Sequence, residues 1–109
     1  MMFYWDDWNR RHVRSHGVSR EEAIFVVRRA QPPYPQDAGD GKFLVCGPTL
    51  AGRLVQVIFA FTSPDRMDYE QMSFDDILQL EKDAGPYVYV IHARDLTASE
   101  KGRLLKRRR

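Results

Sequence analysis

Several scarcities bound what this chain can be. It has one cysteine, Cys46, so no intramolecular disulfide can staple it. Cys46 lies in the apolar run KFLVCG, where a packed thiol is expected rather than a nucleophile, and a lone thiol fits a reducing cytoplasm. No apolar run is long enough to cross a bilayer, and the opening MMFYW meets Asp6 and Asp7 too soon for a signal peptide. A soluble, cytoplasmic protein with no membrane partner is therefore expected. The sequence has no glycine-rich phosphate loop, no Ser-His-Asp spacing that stands out and no internal repeat. His12 and His16 stand four residues apart, but HVRSH lacks the glutamate of a zincin helix. His16 also falls where its helix is expected to end, so a shared helical face is not expected. Neither a metal set nor a cofactor is implied.

What is present is enough for a core. The chain has 109 residues, 43% of them hydrophobic, which reads as a single domain over 1–109 that needs no metal or disulfide to fold. Its net charge of +2 conceals an asymmetry. Residues 65–83 hold seven acids against Arg66 and Lys82, while residues 84–109 hold seven basic residues against Asp95 and Glu100. An acidic insertion at about 62–86 and a basic tail over 101–109 thus stand out. The basic surface suits an anionic partner such as RNA, although LLKRRR also reads as a plain solvated tail.

The periodicities predict an α+β fold: a small antiparallel sheet of three to four strands, two N-terminal helices, an inserted acidic helix and a C-terminal helix. FYW at residues 3–5 reads as a short edge strand. A helix starts near Asp6, with Trp8 and Val13 as buried contacts, and Gly17 suits its left-handed end. Ser19 and Glu22 form a capping box for a second helix, with Val18 placed to staple onto Ala23. QPPYPQDAGDG reads as a loop, and KFLVCG and RLVQVIFAF as a hairpin around PTLAG. Ser73 caps an acidic helix with Phe74, Ile77, Leu78 and Leu80 as its apolar side, stopped by Gly85-Pro86. A strand over VYVIHARD follows, and Thr97 with Glu100 caps the last helix.

The chemistry-bearing residues gather near that last strand. Histidine can move a proton near neutral pH and arginine can hold the charge of a phosphorane, which is the equipment of metal-free phosphodiester chemistry. Strict alternation places Val88, Val90, His92 and Arg94 on one face and Tyr87, Tyr89 and Ile91 on the other. His92 and Arg94 would then emerge at the rim, followed by Lys101 and Arg103 as phosphate contacts, with Tyr89 as a base-stacking surface on the opposite face. Plainer roles exist for each: a rim histidine on a carbonyl for His92, an ion pair with Asp95 or Glu100 for Arg94, a turn for His16 and surface charge for Arg53.

Three stretches, in order, carry a family resemblance. WDDWNRRHVRSHGVSREEA resembles the opening of BrnT-type toxins, CGPTLAGRLVQVIF resembles their Gly-Arg-Thr-x-x-Gly-Arg hairpin, and VYVIHARDLTASEK resembles their closing signature. The resemblance implies a RelE-like fold and a bacterial type II toxin–antitoxin pair. Its toxin would be a metal-independent endoribonuclease, and a cognate antitoxin would cover it, in a homo-oligomer or a hetero-oligomer with that antitoxin. By that resemblance Arg94 is the phosphate stabiliser, His16 a proton-transfer group and Arg53 an RNA contact, while Glu100 is better explained as a helix cap. The chain departs from the pattern at Tyr89, where an arginine is usual, at His92, where Ser or Thr is usual, and at Leu104, where an aromatic is common. His92 is the candidate substitute for the missing basic group. The rival readings are a diverged, non-catalytic RNA- or protein-binding member of the same fold, and a small interaction domain whose basic tail meets an acidic partner.

Overall fold

The computed structural model describes residues 1–81 and 85–107. The described elements run β1 (Met2–Tyr4), α1 (Asp7–Ser15), α2 (Arg20–Arg28), β2 (Gln36–Gly39), β3 (Lys42–Pro48), β4 (Leu54–Thr62), α3 (Phe74–Glu81), β5 (Tyr87–Asp95) and α4 (Ala98–Arg107). Two short 3-10 turns, Pro64–Arg66 and Tyr69–Gln71, bridge β4 to α3. No helix among the described residues is long and apolar enough to cross a membrane.

The α+β class is as expected, but the sheet is larger and mixed. Five strands lie in the order β1-β5-β4-β3-β2. β1 pairs in parallel with β5, and the other pairings are antiparallel. The extra strand, β2, comes out of the proline-rich segment expected to be loop. Its pairing with β3 is broken by a register shift between Asp37 and Gly39, and most of its side chains are exposed. A short, irregular, polar edge strand gives little periodicity to read.

The two faces of the sheet differ. Residues directly paired in an antiparallel ladder share a face. Val55, Val57 and Phe59 of β4 stand with Ala93 and Val90 of β5 on the face that packs with Val13, Ala23 and Val26 of the first two helices. Gln56, Ile58 and Ala60 stand with Arg94, His92 and Tyr89 on the other. Between Ile58 and Phe59 the partner jumps from His92 to Val90, so Ile91 is an extra residue, a β-bulge. That bulge corrects the alternation read from sequence. Val88 and Val90 are buried on the helix-covered face, while His92 and Arg94 lie on the opposite face with Tyr87 and Tyr89.

The local start signals act as expected. Ser19 with Glu22 forms the expected reciprocal capping box, and Asp6 with Asn9, which the sequence marks only as a helix start, forms another, each worth about 1 kcal/mol. Thr97 and Glu100 exchange the same pair of bonds at the start of α4. Ser73 Oγ accepts from the backbone N–H of Asp76. Other expectations fail at the surface. Trp8 is 54% exposed and Phe74 73% exposed, so neither is a core contact. Leu80 alone carries the burial expected of α3, packing with Tyr4 and Met67 in a small second cluster. The acidic helix is expected to run on to Gly85, but 82–84 lie outside the described residues, as do the last two arginines of the tail.

Candidate active site

His12, His16 and His92 converge, bringing one ring nitrogen each to within 4.8 Å of the others. Sequence reasoning set His12 aside and separated it from His16, so this is a correction with a local cause. α1 ends in a Schellman motif: Gly17 N–H donates to the Arg14 carbonyl, and Val18 N–H reaches back to that of Val13. Gly17 takes the left-handed conformation, φ 76°, that such an ending requires. His16 is the C-cap, at φ −97° and ψ 11°, so its side chain continues the Trp8–His12 row instead of leaving it. Trp8 stacks on His12 at 4.7 Å between centroids, and His12 meets His16 edge-on at 5.2 Å. Asn9, fully buried, fixes the rotation of α1 by donating to the Tyr4 carbonyl at 3.1 Å.

The third imidazole arrives from β5 by way of the bulge. His92 Nδ1 lies 3.2 Å from His12 Nε2, and its ring is 4.8 Å from that of His16. A bond between two ring nitrogens needs one lone pair, so the pair cannot keep it with both rings cationic. Partial burial, then the neighbouring His16, His12 and Arg94 charges, push the His92 pKa below its ordinary value. His92 is therefore a neutral imidazole at neutral pH, able to accept a proton or donate a lone pair.

Arg94 shares that face two residues on, and it is tightly held. Its two terminal nitrogens clamp the Glu100 carboxylate at 2.7 and 2.9 Å, and one also donates to Gln56 Oε1 at 3.1 Å. The Glu100 partner raises the arginine's pKa, and Arg94 with the Thr97 N–H holds Glu100 down at about 2. Gln56 is a residue that sequence reasoning missed. Its signal was weak: one polar side chain within the apolar run of β4.

The remaining candidates are spread out. Tyr89 lies on the same face as His92, not the opposite one. It is half-buried against Tyr4, and its hydroxyl contacts both carboxylate oxygens of Asp6 at 3.1 Å. Burial and that carboxylate raise its pKa well above the ordinary phenol value. Arg53 donates to the Gly17 carbonyl at 2.9 Å and sits within ion-pair distance of Glu22 and Asp95. It fastens the turn that carries His16 to the end of β5. Lys101 and Arg103 are exposed on α4, and Arg103 borders a cleft of about 300 Å³ between that helix and the sheet with Cys46, Gln56 and Glu100.

The site offers proton transfer through three imidazoles, a fixed guanidinium beside them and no carboxylate among the clustered groups. The same nitrogens are also ligands in type. Compared with known proteins, the chain matches no protein-family model and no curated protein.

Proposed function

We propose that the chain is the toxin of a type II toxin–antitoxin pair, with a RelE-like arrangement, and that it cuts RNA without a metal. The observation that carries this reading is the convergence of His12 and His16 from α1 with His92 of β5, which shares a sheet face with Arg94. The ordered resemblance of three stretches to BrnT-type toxins and the excess of basic residues in the last quarter of the chain support it. In this mechanism neutral His92 accepts the proton of an RNA 2′-hydroxyl as that oxygen bonds to the adjacent phosphorus. The bond to the 5′-oxygen breaks, and His16 delivers a proton to the departing oxygen. The products are a 2′,3′-cyclic phosphate and a free 5′-hydroxyl. The His12–His92 contact orients the base, and Arg94 faces the phosphorane charge from its Glu100 and Gln56 seat. A cognate antitoxin would bind over this basic face.

Purified protein incubated with single-stranded RNA in excess chelator should produce cyclic-phosphate ends. His92→Gln and Arg94→Ala should each lower the rate by about 100-fold or more while leaving the circular dichroism spectrum unchanged. Undiminished cleavage by Arg94→Ala would remove that residue from the site. A second reading has one observation in its favour: Glu100 already neutralises Arg94, as a structural ion pair would. It makes the chain a diverged member that binds RNA or a protein partner without cutting. Salt-sensitive RNA binding by a wild-type protein that never cleaves would select it.

A further inference from the structure

The imidazole cluster has a property that proton transfer does not require: it comes close to the shape of a metal site. We propose that His12, His16 and His92 form a three-nitrogen site for a divalent transition ion of the Zn²⁺ class, and that filling it withdraws the same nitrogens from proton transfer. The second half rests on the ribonuclease reading; the first does not.

Tetrahedral Zn²⁺ sits about 2.0–2.1 Å from histidine nitrogens, which sets its ligands about 3.3 Å apart. His12 and His92 already stand at 3.2 Å, and the widest gap in the trio is no more than 4.8 Å. Closing the remainder falls to His16, the exposed member, whose side chain can turn without disturbing the core. Neither backbone need move: the Schellman ending fixes His16 at the end of α1, and the Ile91 bulge delivers His92 from β5. Metal binding requires deprotonated imidazole, so affinity for the ion should fall in acid.

The donor set also discriminates. Three imidazole nitrogens with no carboxylate suit Zn²⁺, Co²⁺, Ni²⁺ and Cu²⁺, and they suit Mg²⁺ and Ca²⁺ poorly because those ions demand oxygen. Three protein ligands leave a fourth position open, as in sites that keep an exchangeable water. His12 also borders an open pocket of about 470 Å³ with Asp7, Trp8, Arg11, Ser15 and Gln71. The bound ion occupies the lone pairs that a base needs, so occupancy and metal-free cleavage exclude one another.

Full-length protein stripped with chelator is titrated with Zn²⁺, Co²⁺ and Mg²⁺ by calorimetry, and Co²⁺ is also followed by its visible ligand-field absorption. One equivalent of Zn²⁺ or Co²⁺ should bind, with a tetrahedral Co²⁺ spectrum and a raised melting temperature, and Mg²⁺ should not. His16→Gln, at an exposed position that leaves folding intact, and His92→Gln should each weaken binding on the order of 100-fold, because loss of even an outer partner of a ligand costs 10–100-fold. Zn²⁺ affinity in either variant equal to wild type would overturn the site, as would preference for Mg²⁺. RNA cleavage measured in parallel separates the two readings. Metal binding without cleavage in chelator sustains the site and sinks the ribonuclease assignment. Cleavage in chelator that saturating Zn²⁺ leaves untouched, in protein shown to bind it, overturns the switch.

Discussion

One face of the sheet is a nearly uniform apolar floor; the other is a mosaic. Val55, Val57, Phe59, Val88, Val90 and Ala93 are all buried beneath the first two helices. Across the sheet, the same two strands present Gln56, Ile58, Tyr89, His92 and Arg94, half-buried, with His92 meeting His12 of α1 and Arg94 bonded to Glu100 of α4. Both faces come from one pair of adjacent strands, so composition of the strand does not decide which residues become structural. Register does, and in β5 it turns on a single extra residue, Ile91. The helix-covered face holds the chain together by area buried, the term that dominates folding. The opposite face holds groups whose value lies in charge and lone pairs.

The sharpest way to break that contrast is to delete Ile91. Removing the bulge would rotate either His92 and Arg94 or Val88 and Val90 to the wrong side of the sheet, because a one-residue slip exchanges the faces. The deletion variant should fail to fold, seen as loss of a cooperative thermal transition; a native-like transition would show that the bulge does not set the faces. A gentler test compares neighbours. Phe59→Ala should cost about 3–5 kcal/mol by denaturant unfolding, whereas Ile58→Ala, half-buried on the mosaic face, should cost no more than about 2 kcal/mol. Equal losses would erase the distinction between the faces.

Acid gives the smallest effect on the mosaic face. His92 has a folded pKa below the ordinary imidazole value of 6.5, so the unfolded chain binds more protons just beneath that pH. Stability should therefore fall as pH drops from 6.5 toward the folded pKa, and His92→Gln should flatten that stretch of the curve. Glu100 is depressed instead, so its contribution is present above 4.5 and lost as pH falls toward about 2. Glu100→Gln should remove this second leg while leaving the first. A curve unchanged by either substitution would mean that the groups are unperturbed by folding.

What could be read from sequence was what is decided within a few residues. Capping boxes at Ser19 and Thr97, the helix start near Asp6, the glycine ending of α1 and the apolar run of β4 depend on near neighbours, and all appear. The misreadings have non-local causes. The bulge at Ile91 exists only in the pairing of β5 with β4, and β2 is a strand only because β3 offers it an edge. The sequence expects Trp8 among the buried contacts of α1, yet the buried Asn9 sets the rotation of the helix and the indole lies outward, stacked on His12. His12 itself was legible as one of an i,i+4 pair. Its third partner lay 80 residues away, and no local pattern points across that distance.

That separation has a consequence for synthesis. α1 is synthesised with two of the imidazoles before β5, 80 residues on, supplies the third. β1 likewise has no partner until β5 emerges. Whatever the assembled cluster does, a growing chain cannot do it. The cluster exists only once β5 has been made and has paired with β1 and β4.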